Sequence, residues 1–181
     1  DTLYVVVKCT FDIFPLVKVS EVQIPPTIED SFWGEPIKNS IKNASEMHVG
    51  KSTTDIILNG HAYAPNEKGV DKLDLFLSVG NNQQRLSVIG DRQWHKGKAT
   101  KPIPFEKVAL VYENAYGGEH VSHKKDSKGE LREVVIGEVC NPIGKGFIGK
   151  RAGADIDGMP LPNLEDPRQL ITRPQHSLCW L

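Results

Sequence analysis

His120 and His123 stand three residues apart in Glu119-His120-Val121-Ser122-His123, with Asp126 close behind. On a helical turn, nitrogen and carboxylate donors at that spacing can share a metal. The surrounding residues are polar and include Lys124, Lys125 and Lys128. They read as a solvated loop over 119–130, and no metal site is assigned. Asp155-Ile156-Asp157-Gly158 opens like a calcium loop. It lacks the later ligands and the closing bidentate Glu, so a turn held by Asp side chains explains it better. Asn141-Pro142-Ile143-Gly144-Lys145-Gly146-Phe147-Ile148-Gly149-Lys150 invites a phosphate-loop reading, but its glycine spacing is wrong for GxxxxGK[ST]. Glycines that let two backbone segments pass closely are the plainer account. No GxSxG is present, no serine has the context of a nucleophile elbow, and paired carboxylates cannot be located from spacing. No catalytic, cofactor-binding or metal-ligating residue is therefore assigned.

The charge balance narrows the partners. Among 181 residues, 22 Lys+Arg face 23 Asp+Glu for a formal charge of −1, which argues against a nucleic-acid binder. Hydrophobic residues at 39% and charged residues at 25% describe an ordinary globular chain, able to bury a core without staples. No apolar run is long enough to span a bilayer and no basic leader precedes a hydrophobic segment, so no membrane partner is expected and cytoplasm is the expected compartment. The chain begins at Asp1 rather than Met, as a fragment would. Cys9, Cys140 and Cys179 are odd in number and form no CxxC, which predicts neither a disulfide framework nor a zinc half-site. Cys9 lies within the apolar run Tyr4–Phe11 and is expected to be a buried, reduced thiol.

The elements that would position these residues show a period near two. Leu3–Phe11 and Leu16–Ile24 read as strands, the second with an offset that suggests a bulge, and Pro25-Pro26 ends it. Asp55–Tyr63, Val108–Glu113 and Leu131–Val139 are further strands. The clearest signal is a hairpin: Leu73, Leu75, Leu77 and Val79 alternate with Asp74, Phe76 and Ser78, Gly80-Asn81-Asn82-Gln83 turns the chain, and Leu86, Val88 and Gly90 return. Residues 31–53 have the weakest pattern, with one or two helical turns expected over Ser40–Glu46. No amphipathic helix stands out. The predicted fold is mainly β, an antiparallel β-sandwich or open barrel with long Gly/Pro-rich loops and little helix. One domain spans 1–181, with 31–53 and 119–130 as loop or insertion segments.

A series of motifs then acquires meaning together. They are Asp55-Ile56-Ile57-Leu58-Asn59-Gly60-His61-Ala62-Tyr63-Ala64-Pro65, Gly90-Asp91-Arg92-Gln93-Trp94 and Pro102-Ile103-Pro104-Phe105. Tyr112-Glu113-Asn114-Ala115-Tyr116-Gly117-Gly118, Asn141-Pro142-Ile143-Gly144-Lys145-Gly146 and Leu161-Pro162-Asn163-Leu164-Glu165-Asp166-Pro167 follow. With Val5–Phe11 and Asp30–Gly34 before them, they resemble a bacterial domain-of-unknown-function family encoded beside type VI secretion spike and effector genes. The resemblance implies a non-enzymatic adaptor or chaperone that binds a toxic effector and helps load it onto the secreted spike. Effector and spike proteins are then the expected partners, and no cofactor is implied. Members of that family continue with a Gly-Phe-Gly-Pro-like segment where Gln175–Leu181 stands here, so a fragment or a divergent member is expected.

The motif residues also carry expectations of their own. Gly60, Gly90, Gly117 and Gly118 should mark special φ or close backbone approach. Asp55, Asp91, Arg92 and Glu113 are charges in apolar surroundings that must be paired, with Asp55 or Glu113 the expected partner of Arg92. Tyr63, Trp94 and Tyr116 could anchor a partner. Pro65, Asn141, Pro142, Gly144, Asn163 and Glu165 complete the set as structural or partner-contact residues. A hydrolase or a small-ligand-binding β-module is the alternative, and either would need a concave pocket.

Overall fold

The computed structural model describes residues 3–36, 38–47 and 53–174. The chain divides into two compact units, Asp1–Leu58 and Asn59–Leu181. The family pattern's expected break at 175–181, and 48–52 of the weakly patterned segment, lie outside the described residues.

The N-terminal unit is built from short ladders. Strands β1 (Phe11–Asp12) and β2 (Lys18–Val19) pair antiparallel, as do β3 (Ser31–Phe32) and β4 (Ile41–Asn43), the latter with a register shift. The expected strands Leu3–Phe11 and Leu16–Ile24 thus shrink to their paired ends. Side chains replace the missing ladder. Gln23 accepts from the Thr10 amide at 2.9 Å and donates to the Thr10 carbonyl at 3.2 Å, while the Ile24 amide donates to Thr10 Oγ1 at 3.0 Å. The helical turns expected over Ser40–Glu46 are absent, because Ser and Asn there bond across the segment instead of along a helix. Asn43 Nδ2 donates to Ser31 Oγ at 3.0 Å, and Ser45 Oγ to the Ile28 carbonyl at 2.7 Å. Among the described residues of this unit only Ser40 is buried. Cys9 is accordingly a free but exposed thiol, not the buried one expected, since no second layer within its unit covers its segment.

The C-terminal unit opens with β5 (His61–Tyr63), β6 (Lys72–Val79) and β7 (Asn82–Ile89). They are followed by β8 (Trp94–His95), β9 (Lys98–Ala99), β10 (Lys107–Ala109), β11 (Tyr116–Gly117) and β12 (Glu119–Lys125). Strands β13 (Leu131–Gly137), β14 (Lys145–Gly146) and β15 (Leu164–Glu165) complete it. The predicted hairpin is present, with Leu73 opposite Val88 and Leu75 opposite Leu86. Its turn is tighter than predicted: Gly80 at φ 58° and Asn81 alone close it, a conformation that glycine adopts without penalty. Strand β7 is central in the order β15-β7-β6, and Leu164 of β15 lies opposite Val88. That cover explains why Ser87, Val88 and Ile89 are buried while Leu73, Leu75 and Leu77 are only half-buried.

The remaining ladders are β5–β10, β8–β9, β12–β13 and a parallel β11–β14 pair. The fold is mainly β, as predicted, in small sheets with no closed barrel among the described residues. One apolar cluster gathers Trp94, Tyr116, Phe147, Ile148, Ile156 and Leu161; a second joins Ala62, Val88 and Leu164 beneath the hairpin. Cys140 is disulfide-bonded, which corrects the expectation drawn from cysteine spacing alone.

Residues 119–130 are not the solvated loop expected. They form β12 and the start of its turn, with His120 opposite Ile136 and His123 opposite Glu133. Residues three apart on a strand point to opposite faces, so the two histidines cannot close on one metal. Asp126 instead caps the turn, accepting from the Lys128 and Glu130 amides at 2.8 and 3.0 Å and pairing with Arg132 at 2.9 Å. Charge alternation across a ladder mimicked loop polarity in the sequence.

Candidate functional site

Four family-motif residues of the C-terminal unit, Asp91, Arg92, Asn163 and Glu165, meet in a partly buried polar network. Strand β15 returns beside β7 and carries Glu165, whose side chain is 0% exposed. Arg92 follows the end of β7, and its side chain is 8% exposed. Arg92 Nη2 donates to Glu165 Oε1 and to the Pro162 carbonyl at 3.3 Å, while Glu165 Oε2 accepts from the Ile171 amide at 2.8 Å. The partner of Arg92 is therefore Glu165, not Asp55 or Glu113. The pairing depends on β15 lying against β7, a contact between residues 73 apart that local pattern does not encode. Burial pushes the Glu165 carboxyl above its ordinary range, and Arg92 opposes that shift. Asp55 belongs to the other unit, and Glu113 sits in a 3₁₀ turn, Tyr112–Asn114, where Val108–Glu113 was expected to continue as a strand.

Asn163 stitches the adjacent strands. Its backbone carbonyl accepts from the Ile89 amide at 2.7 Å and its amide donates to the Asn114 carbonyl at 2.8 Å. Its side-chain Nδ2 donates to the Ile89 carbonyl at 2.8 Å and to Asp91 Oδ1 at 3.0 Å. Replacing Asn163 by alanine leaves buried acceptors unpaired and should lower the stability of this unit by about 1–3 kcal/mol. Urea unfolding checks it, and a variant as stable as the parent would show the side-chain bonds to be dispensable.

Asn141 performs the same service between two motif segments. Its Nδ2 donates to the Tyr112 and Tyr116 carbonyls at 2.9 and 3.0 Å. The segments pass so closely that a Cβ on Gly144 would lie 2.7 Å from the Ala115 carbonyl oxygen. Gly118, at φ 106°, would meet the Gly144 oxygen at 2.7 Å. The Asn141–Lys150 stretch is thus a close backbone crossing, as the glycine reading predicted. Gly117 lies in the same crossing, Pro142 is exposed beside it, and Pro65 opens an exposed 3₁₀ turn. Gly60 departs from expectation: nothing lies within 4 Å of the Cβ it lacks.

The three aromatic candidates separate. Trp94 and Tyr116 are 1% and 5% exposed and belong to the core, whereas Tyr63 is 62% exposed with Lys107 over its ring. Burial, and secondarily Glu138, pushes the Tyr116 hydroxyl up to about 12. Lys145 is pushed down by burial while Asp91 pulls the other way. Asp166, hydrogen-bonded by Arg168, is held down at about 2. Asp166 is satisfied by Arg168 as Glu165 is by Arg92, pairings of the kind that lock a scaffold. No group of His, Cys, Asp or Glu suited to a metal occurs among the described residues.

A family model described as an uncharacterized protein conserved in bacteria (DUF2169) matches residues 1–179. The chain belongs to that family. No curated protein and no solved structure matches it. No helix among the described residues is long and apolar enough to cross a membrane.

The feature of this DUF2169 chain that sequence reading missed is the apolar surface of its N-terminal unit. Leu3, Val5, Val7, Ile13 and Phe14 are each at least 74% exposed. β-Branched and aromatic content marks Leu3–Phe11 as a strand, but no layer within its own unit covers these residues. The nearby charges are internally satisfied: Lys8 pairs with Glu46 at 2.8 Å, and Lys18 faces Asp12 at 3.8 Å. Exposed charges such as Glu21 and Glu29 also lie on this unit, but the large apolar side chains dominate Leu3–Val7 and Ile13–Val17.

Proposed function

We propose that this DUF2169 protein is a non-enzymatic adaptor or chaperone that binds a type VI secretion effector and aids its loading onto the secreted spike. The observation that carries the reading is the apolar surface on the N-terminal unit. A run of large apolar side chains left this exposed is the kind of surface that marks a protein interaction site. The ordered motif series supports an effector as the partner through its resemblance to a family encoded beside spike and effector genes. The division of labour is physically sensible. The C-terminal unit holds a locked scaffold, and the N-terminal unit offers apolar strand-forming segments that a cargo can cover.

An interface of roughly 1,200–2,000 Å² suits stable cargo binding. Co-expression with the product of the adjacent effector gene is the test. A complex should co-elute in size exclusion, and the double substitution Val5→Asp with Val7→Asp should abolish it while leaving the C-terminal unit's thermal transition in place. Failure of the complex to form, together with turnover of a small substrate by the isolated protein, would replace this reading with the hydrolase alternative.

A further inference from the structure

We propose that the C-terminal unit carries a second recognition site, independent of the apolar surface: a cationic cavity that takes the carboxylate of an acidic peptide segment. The cavity has a volume of about 540 Å³ and is lined by Arg92, Lys98, Ala99, Ile171, Thr172 and Arg173 among others. Three cationic side chains share its wall, and no Asp or Glu lines it among the described residues. Glu165 neutralises Arg92 from behind, which leaves the charges of Lys98 and Arg173 in excess. Neither of those two forms an ion pair among the described residues.

Arg92 is the built part of the site. Its side chain is more than nine-tenths buried; Nη2 is hydrogen-bonded and Nε is sealed from solvent, whereas Nη1 is neither bonded nor sealed. Such a guanidinium is oriented in advance and retains unused donors, so little entropy is lost when it receives an anion. The opposite wall is also fixed. Lys98 opens β9 directly after the tight turn Lys96-Gly97, both residues at positive φ, and the Lys96 amide donates to Asp157 Oδ1 at 2.8 Å. Ile171 is anchored through its amide to Glu165, so Thr172 and Arg173 leave from a pinned point.

The chemistry selects a carboxylate. Ala99, Ile171 and Pro174 give the cavity aliphatic walls that fit the stem of an acidic residue. A guanidinium nitrogen still free to donate, Nη1 of Arg92, suits a carboxylate oxygen. The chain's overall charge of −1 gives no long-range attraction for a polyanion such as nucleic acid. The carboxylate could come from Asp or Glu side chains or from a chain's C-terminus, and the two sources are separable.

Calorimetric titration of the intact chain tests the site with four probes: a blocked peptide of consecutive glutamates, its glutamine counterpart, a neutral peptide with a free C-terminal carboxylate, and inorganic phosphate. The glutamate peptide should bind and the glutamine peptide should not. Lys98→Glu and Arg173→Glu, both at exposed positions, should each weaken the acidic peptide by roughly tenfold or more, with unchanged thermal stability. Binding of the neutral free-acid peptide at least as tightly would assign the carboxylate to a C-terminus. Equal binding of the glutamine peptide, indifference to both charge reversals, no detectable binding, or tighter binding of phosphate than of either carboxylate peptide would each overturn the proposal.

Discussion

Replacing Glu165 by alanine is expected to destabilise the C-terminal unit by about 3–5 kcal/mol, the usual cost of leaving a buried charge without its partner. The guanidinium it abandons is 8% exposed and cannot shed its proton. Arg92→Met should cost less, because the abandoned carboxyl can neutralise itself. Burial already pushes Glu165 upward, and the substitution removes the charge that opposes the shift. The double variant Arg92→Met with Glu165→Leu should recover most of the loss, since an apolar pair of similar volume roughly matches a buried ion pair. Urea unfolding of the four proteins forms the cycle. A Glu165→Ala variant within about 1 kcal/mol of the parent would mean that the pair is not the lock described.

A methyl group at Gly90 should be nearly as damaging. A Cβ there would fall 1.9 Å from the Ile103 carbonyl oxygen, which is backbone and cannot swing aside. The contact is fixed on both sides, by the Gly90 amide to the Asp71 carbonyl at 3.0 Å and the Ile103 amide to the Asp91 carbonyl at 2.9 Å. Gly90→Ala should therefore cost about 3 kcal/mol or more, at the upper end of overpacking effects. Gly60→Ala is the control: with nothing within 4 Å, it should stay within about 0.5 kcal/mol of the parent. Equal transition temperatures for the two variants would contradict the close approach.

The contrast between those glycines shows what a sequence can reveal here. The hairpin was legible because its register is local: alternation on both strands and a Gly-Asn turn determine that Leu75 meets Leu86. That Arg92 needs a carboxylate followed from the cost of burying a charge, but the choice of Glu165 depended on β15 pairing with β7, which no local pattern records. Gly90 and Gly60 look alike in sequence and differ only in what the fold brings near them. The N-terminal segment misled for a related reason. Leu3–Phe11 has the composition of a buried strand, and composition cannot say whether the covering layer belongs to the same chain. Lys98 and Arg173 carry no motif at all; only the return of the chain past Ile171 places them on one cavity.

Hydrogen exchange on the effector complex tests the adaptor account most directly. Amides between Leu3 and Ile24 have few ladder partners in the free protein, so they should exchange quickly alone. With the effector bound, the account predicts strong protection over that stretch and little change along the β6–β7 hairpin. Protection confined to the C-terminal unit, with Leu3–Ile24 exchanging as freely as before, would contradict it.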